Sequence, residues 1–156
     1  LTAVDPSKWA AEMSATVGLI LSEKTSGDEI SWMRAADGRH HSLATVKSDI
    51  AGLHHISWEF NGFGDFKHLA DAVDLTGRNL IWGPGRHGAG DNLFMYFIAE
   101  GGFLVECNSE MEVILDPTRP PKVSDPGENF SNVKLVNRWG TPPGEDWLTH
   151  VTPLSA

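Results

Sequence analysis

A chain of 156 residues, 40% hydrophobic and 21% charged, can form one compact domain with a real core, or two small modules sharing one. Its net charge of −9 argues against a nucleic-acid partner, because phosphate binding needs clustered Lys and Arg. No apolar stretch approaches the roughly 20 residues of a membrane span, no basic, apolar leader marks export, and the single cysteine, Cys107, excludes an internal disulfide and fits a reducing cytoplasm.

Leu1 to Val4 reads as the end of a strand running into Asp5-Pro6-Ser7. Asp5 suits a helix N-cap and Pro6 the first helical position. Trp9, Met13 and Val17 recur at helical spacing until Gly18 stops the helix. Leu19 to Lys24 is strand-like, Ser26-Gly27-Asp28 turns, and Glu29 to Ala35 alternates as a second strand. Asp37-Gly38 turns again, and His40 to Lys47 is expected as a third strand.

The order β-α-β-β-β then repeats. Leu53 to Phe60 alternates as a strand that Asn61-Gly62 ends. Phe66, Leu69, Ala70 and Val73 keep helical spacing, and Leu80 to Trp82 is a short strand before a Gly-Pro-Gly loop. Leu93 to Ile98 and Phe103 to Asn108 are the last two strands, joined at Glu100-Gly101-Gly102. Such an internal repeat between Leu1 and Leu115 predicts modules over residues 1–50 and 51–115. From Asp116 onward seven prolines break any regular element, so 116–156 is expected as an extended tail pinned by Trp139 and Trp147.

Six of the seven histidines crowd the middle of the chain (His40, His41, His54, His55, His68 and His87), which makes them the place to look for chemistry. Strand alternation puts His54, Ile56, Trp58 and Phe60 on one face, apolar apart from His54 and suited to packing under helices, and His55, Ser57 and Glu59 on the other. Glu106 interrupts an apolar strand, opposite in facing to Phe103, Val105 and Cys107. A carboxylate there is costly to bury unless it is paired or bound to a metal. If the first and last strands of the second module are neighbours, His55 and Glu106 converge. Imidazole and carboxylate are donors of non-haem Fe(II) sites, and a core histidine with a structural ion pair is the plainer alternative. The near-neutral pKa of an ordinary imidazole would suit His41 to acid–base work, or else His41 simply opens a solvated strand. The glycine-rich loop around His87 lacks the Gly-Lys-Ser/Thr ending of a phosphate cradle and precedes a strand, so an anion site is not expected. Tyr96, ten residues before Glu106, reaches the same cavity if the hairpin is tight, or packs as an ordinary strand tyrosine.

Together, Arg39-His40-His41-Ser42-Leu43-Ala44, Leu53-His54-His55-Ile56-Ser57, Gly83-Pro84-Gly85-Arg86-His87-Gly88 and Tyr96-Phe97 through Gly102-Phe103-Leu104-Val105-Glu106 resemble the vicinal oxygen chelate superfamily, specifically its type I extradiol (catechol) dioxygenases. The resemblance implies an α+β fold of paired βαβββ modules forming a curved mixed sheet, with an irregular C-terminal tail. It implies His55 and Glu106 as metal ligands, His41 as the active-site acid–base group, and His87 and Tyr96 as hydrogen-bonding partners of the substrate. Asp91 and His54 are implied as residues supporting those groups. The cofactor would be Fe(II), with Mn(II) as an alternative. The partners would be a catecholic substrate and O2, with no nucleic acid and no membrane, in a cytoplasmic homo-oligomer. The ring would open beside the diol.

The sequence departs from the family in one respect. The remaining histidine ligand would fall just upstream of Leu1, so the chain is expected to be the catalytic C-terminal part of a longer enzyme and to bind metal weakly alone. Two other classes share the fold. A metal-free binding protein of the bleomycin-resistance type has no need of His41, His55, His87, Tyr96 and Glu106 together. A glyoxalase-type isomerase would want two glutamates among its ligands. Function on a shared fold is decided by the site.

Overall fold

In a computed structural model, which describes residues 1–153, the first half of the chain runs β1 (Thr2–Ala3), α1 (Pro6–Val17), β2 (Ile20–Thr25), β3 (Ile30–Arg34), β4 (Leu43–Lys47) and β5 (Gly52–Leu53). It continues through β6 (Ile56–Glu59), α2 (Phe63–Leu75), β7 (Leu80–Arg86), β8 (Leu93–Ile98) and β9 (Leu104–Ser109). Beyond these lie β10 (Lys122–Ser124), a 3-10 turn (Glu128–Phe130), α3 (Val133–Val136), α4 (Glu145–Leu148) and β11 (Thr152–Pro153). Contacts divide the chain into two units. Leu1–Leu53 and Glu112–Asn132, with Pro153, form one; His54–Met111 and Val133–Thr152 form the other. Among the described residues no helix is long and apolar enough to cross a membrane.

In the first unit Asp5 caps α1 as its residue type predicts, its carboxylate accepting from the Lys8 backbone N–H at 2.9 Å. Gly18 ends the helix in the left-handed conformation at φ 75°. The three strands after the helix form an antiparallel meander whose last member, β4, lies parallel to β1, with Thr2 opposite Val46. β10 adds to the far edge, parallel to β2. The second unit repeats the scheme. After α2, β7, β8 and β9 form a meander, and β9 lies parallel to β6, with Ser57 opposite Glu106. The duplicated βαβββ order is therefore a duplicated topology as well.

Alternation along β8 and β9 gives the second unit two apolar clusters. Leu93, Met95 and Cys107 pack with Phe66 of α2. Phe94, Tyr96 and Leu104 point the other way and pack with Trp82, with Val136 and Trp147 against them. Glu106 shares the second face, as its spacing from Cys107 requires.

The first unit instead buries charge. Arg34 is 2% exposed and donates to the carbonyls of Leu21 and Pro117, at 3.1 Å each. Glu23, 1% exposed, accepts from Ser124 Oγ at 2.5 Å and Lys122 Nζ at 3.2 Å, and lies 3.1 Å from His40 Nε2. Burial alone would raise the pKa of this carboxyl, but hydrogen bonds from His40 and Ser124, with the charge of Lys122, hold it below the ordinary value.

Four expectations change in detail. The strand expected over Leu53–Phe60 is broken, because β5 pairs in the sheet of the first unit and β6 in that of the second. A chain that changes sheets cannot keep one alternation through the change, and His54-His55 occupies it. Ile56 and Trp58, expected to pack under helices, are 40% and 62% exposed, since β6 is an edge strand. The third strand starts at Leu43 rather than His40, because Arg39 bridges to Val113 and the His40 N–H donates to the Glu112 carbonyl. Beyond Asp116 the chain holds short elements of two to four residues in both units, where an extended tail was expected.

Phe66 is 1% exposed at the centre of its cluster, so Phe66→Ala is expected to cost about 3–5 kcal/mol, read from the urea midpoint of the second unit's transition. Glu23 supplies a pH-dependent term. Its folded pKa lies below its unfolded value, so its contribution is present above the unfolded pKa and lost as pH falls through the folded one. The stability gap between the parent chain and Glu23→Gln, measured by urea unfolding at pH 7 and pH 3, should therefore narrow at the lower pH.

Candidate functional site

Glu106, 4% exposed, faces Tyr96 directly across the β8–β9 pair. Its Oε2 lies 3.5 Å from His55 Nε2, and its Oε1 lies 3.3 Å from His87 Nε2. The Tyr96 hydroxyl is 3.1 Å from the same His87 nitrogen. The structure thus gathers four of the predicted site residues, His55, His87, Tyr96 and Glu106, within the second unit. Each has a local reason to be there. The register of the meander sets Tyr96 opposite Glu106, and β6 beside β9 carries His55 in from one residue before the strand. The glycine-rich loop brings His87. Its Gly88 N–H donates to the Leu135 carbonyl, and a Cβ at Gly88 would collide with the Lys134 carbonyl.

The hydrogen bonds fix where the protons sit. A carbonyl only accepts, so His54 Nε2, 3.0 Å from the Trp147 carbonyl oxygen, must carry a hydrogen. Burial takes the His54 pKa down to about 4, so the ring is neutral at pH 7 and its Nδ1 holds a lone pair. That lone pair lies 2.6 Å from His55 Nδ1, which must then donate. His55 Nε2 is left with its lone pair turned to Glu106. Burial lowers the His55 pKa to about 3, with the Glu106 charge opposing it only in part. His87 is held in the same sense, its Nδ1–H donating to the Val136 carbonyl at 2.6 Å. Tyr96 keeps its proton, because burial and then the Glu106 charge push its pKa well above the ordinary value.

Imidazole lone pairs and a buried carboxylate therefore converge, an arrangement that costs free energy unless a positive charge lies among them. The donor types, imidazole nitrogen and carboxylate oxygen, suit a first-row divalent ion. Among the described residues no group of three His, Cys, Asp or Glu side chains is gathered as a complete metal cage. His55 and Glu106 fit an ion as part of a ligand set, with His54 and Trp147 as the support that orients the ligand.

The other predicted residues are placed differently. Asp91 lies away from this cluster at the surface, 2.6 Å from Arg138 and 3.9 Å from Arg86. His41 belongs to the first unit, with its Nδ1 3.0 Å from His40 Nδ1. Two contributors escaped the sequence reading. Asn92, fully buried, donates from Nδ2 to Glu106 Oε1 at 3.4 Å. Trp147, read only as a tail anchor, supplies the carbonyl that orients His54, and its ring lies 5.6 Å from that of Tyr96. Position just before an apolar strand was the only signal available for Asn92; a backbone carbonyl leaves none.

No protein-family model matches the chain. In sequence it is 31% identical over 125 residues to metapyrocatechase 2 of Cupriavidus necator, a match covering 80% of this chain and 37% of that protein. In structure it is similar to the Mn(II)-bound glyoxalase of Novosphingobium aromaticivorans, with a TM-score of 0.85 and 26% identity over 98% of this chain and 48% of that one. It is similar also to homoprotocatechuate 2,3-dioxygenase of Arthrobacter globiformis, with a TM-score of 0.82 and 22% identity over 97% of this chain and 47% of the other. The chain spans less than half the length of each of these relatives.

Proposed function

We propose that this chain, which has the vicinal oxygen chelate fold and resembles the extradiol dioxygenases in sequence, carries metal-binding and substrate-binding groups of an enzyme that opens a catecholic ring with O2. The observation that carries the reading is the His55 Nε2 lone pair held against the buried Glu106 carboxylate, 3.5 Å apart. A proton could satisfy this pair by charging an imidazole whose burial opposes the charge, or by removing the charge of the Glu106 carboxylate. A divalent cation satisfies it without that cost, and Fe(II) is the ion the ring-cleavage reading requires, Mn(II) accepting the same donors.

In this reading His55 and Glu106 hold the ion, which when bound supplies open positions for a catecholate and for O2. The chain's own groups then divide the remaining work. Tyr96 is a phenol that stays protonated and so remains a hydrogen-bond donor to an anionic substrate oxygen. His87, with Nδ1 tied to a backbone carbonyl, offers Nε2 for hydrogen bonding beside it. Trp82, Phe94 and Leu104 form the apolar part of the same face. His41 keeps the acid–base role that the resemblance gives it, and Asp91, tied to Arg86 and Arg138, acts by holding the loop that carries His87. In the overall reaction one ring C–C bond breaks and both oxygen atoms of O2 enter the product, so no external reductant is consumed.

The likeness to the Novosphingobium glyoxalase favours a second reading, a metal-dependent isomerase on the same fold. Against it stands the donor set, one carboxylate with two imidazoles and a phenol around it.

The chain, purified anaerobically and titrated with Fe(II) and with Mn(II), should bind either ion at least tenfold more tightly than its Glu106→Ala variant, loss of a charged ligand costing more than 1.4 kcal/mol. A form extended upstream should hold about one ion per chain and turn catechols into yellow ring-opened products. Equal metal binding by parent and variant would overturn the site. Metal binding without catechol cleavage in the extended form would favour the isomerase.

A further inference from the structure

The first unit contains a second pair of adjacent histidines joined through their Nδ1 atoms, and it ends on a carboxylate instead of a carbonyl. His40 and Glu23 are each 1% exposed. His40 Nε2 lies 3.1 Å from Glu23 Oε2, and His40 Nδ1 lies 3.0 Å from His41 Nδ1. The other carboxylate oxygen of Glu23 is already taken by Ser124 Oγ and Lys122 Nζ, so both oxygens are engaged as acceptors. The groups facing this pair are Lys122 and Ser124 from β10, together with Glu112, whose carboxylate is paired to Arg119.

We propose that Glu23 and His40 are positioning residues that set the tautomer of His41, holding its hydrogen on Nδ1 and leaving Nε2 as the basic nitrogen. An ionised carboxylate only accepts, so His40 Nε2 must carry a hydrogen. A neutral His40, which is part of the proposal, then holds a lone pair on Nδ1, and the hydrogen between the two Nδ1 atoms belongs to His41. Isolated imidazole has no such constraint, and a histidine used for proton transfer needs its basic nitrogen at one defined end of the ring. The inference rests on the acid–base role proposed for His41 only for its meaning. The hydrogen-bond chain is a property of the fold, whatever the reaction. Glu23 and His40 touch no reacting atom in this scheme. They act through His41.

Two substitutions at one position separate positioning from mere filling. In His40→Asn the short amide can still accept from His41 Nδ1, in place of the Nδ1 of His40. In His40→Gln the longer amide reaches Glu23 in place of Nε2, and the acceptor for His41 is lost. Long-range imidazole 15N–1H correlation spectra of the metal-free chain read both ring nitrogens of each histidine directly. The parent chain and His40→Asn are expected to show His41 with a protonated Nδ1 and a pyridine-type Nε2. In His40→Gln the His41 signals should move toward the Nε2–H tautomer. A parent chain with His41 protonated on Nε2, as it would be if His40 were the cation and donated to it, overturns the proposal. So does an identical His41 spectrum in parent, Asn and Gln forms. Failure of the ring-cleavage reading would appear in the metal and product assays and leave these spectra unchanged.

Discussion

The second unit is organised around a carbonyl oxygen that can only accept. The Trp147 carbonyl forces the hydrogen of His54 onto Nε2, the neutral His54 ring forces that of His55 onto Nδ1, and the His55 lone pair then has nowhere to point but at Glu106. The first two steps are hydrogen bonds, and together they define the chemistry of a nitrogen remote from the carbonyl. The packing serves the same end. Phe66 against Leu93, Met95 and Cys107 fixes one face of β8 and β9. With that face locked, Tyr96 and Glu106 are committed to the other, in register across the pair.

That commitment was legible in the sequence because strand period and hairpin register are local. Glu106 in an apolar strand, and Tyr96 ten residues earlier across a glycine turn, needed only alternation to be placed on one face. The internal repeat was legible for a similar reason, since capping by Asp5, the stop at Gly18 and the turn residues are all local choices. What alternation could not supply was the geometry of His54 and His55. It assigns adjacent residues to opposite faces, and here the strand changes sheet between them, so the rings meet at Nδ1. Nor could the sequence point to Trp147, 93 residues from His54, because the atom that matters is a carbonyl every residue possesses. Asp91 is placed by contacts of another kind. Arg86 and Arg138 compete for its carboxylate and hold it at the surface, and neither pairing is encoded at a recognisable spacing.

The glycine-rich loop leads into a strand, β8. Lacking a following helix, it cannot present an N-terminal anion site, and the structure gives its glycines a different task. Gly88 approaches the backbone of α3 too closely for any side chain, and the N–H groups of Gly88 and Ala89 both donate to the Leu135 carbonyl. The loop is thereby stapled to the segment whose Val136 carbonyl orients His87. One docking of backbone on backbone thus positions the loop and sets the proton on its histidine.

The duplicated fold carries the paired-histidine device twice, but with ends of different chemistry. A carbonyl has no accessible protonation change, so the chain from Trp147 through His54 holds His55 in one state at any pH that leaves His54 neutral. That constancy suits a nitrogen whose task is to remain a ligand. A carboxylate can gain a proton, and Glu23 is buried with its charge stabilised by Ser124, Lys122 and His40 together. The chain from Glu23 through His40 can therefore stabilise positive charge on the imidazoles beyond it, which a neutral carbonyl does far less well. A histidine that must take up and release a proton gains from such an anchor, because the charged form is then less costly to bury. The different anchors fit the different roles proposed for His55 and His41, and they do so through groups that touch neither metal nor substrate.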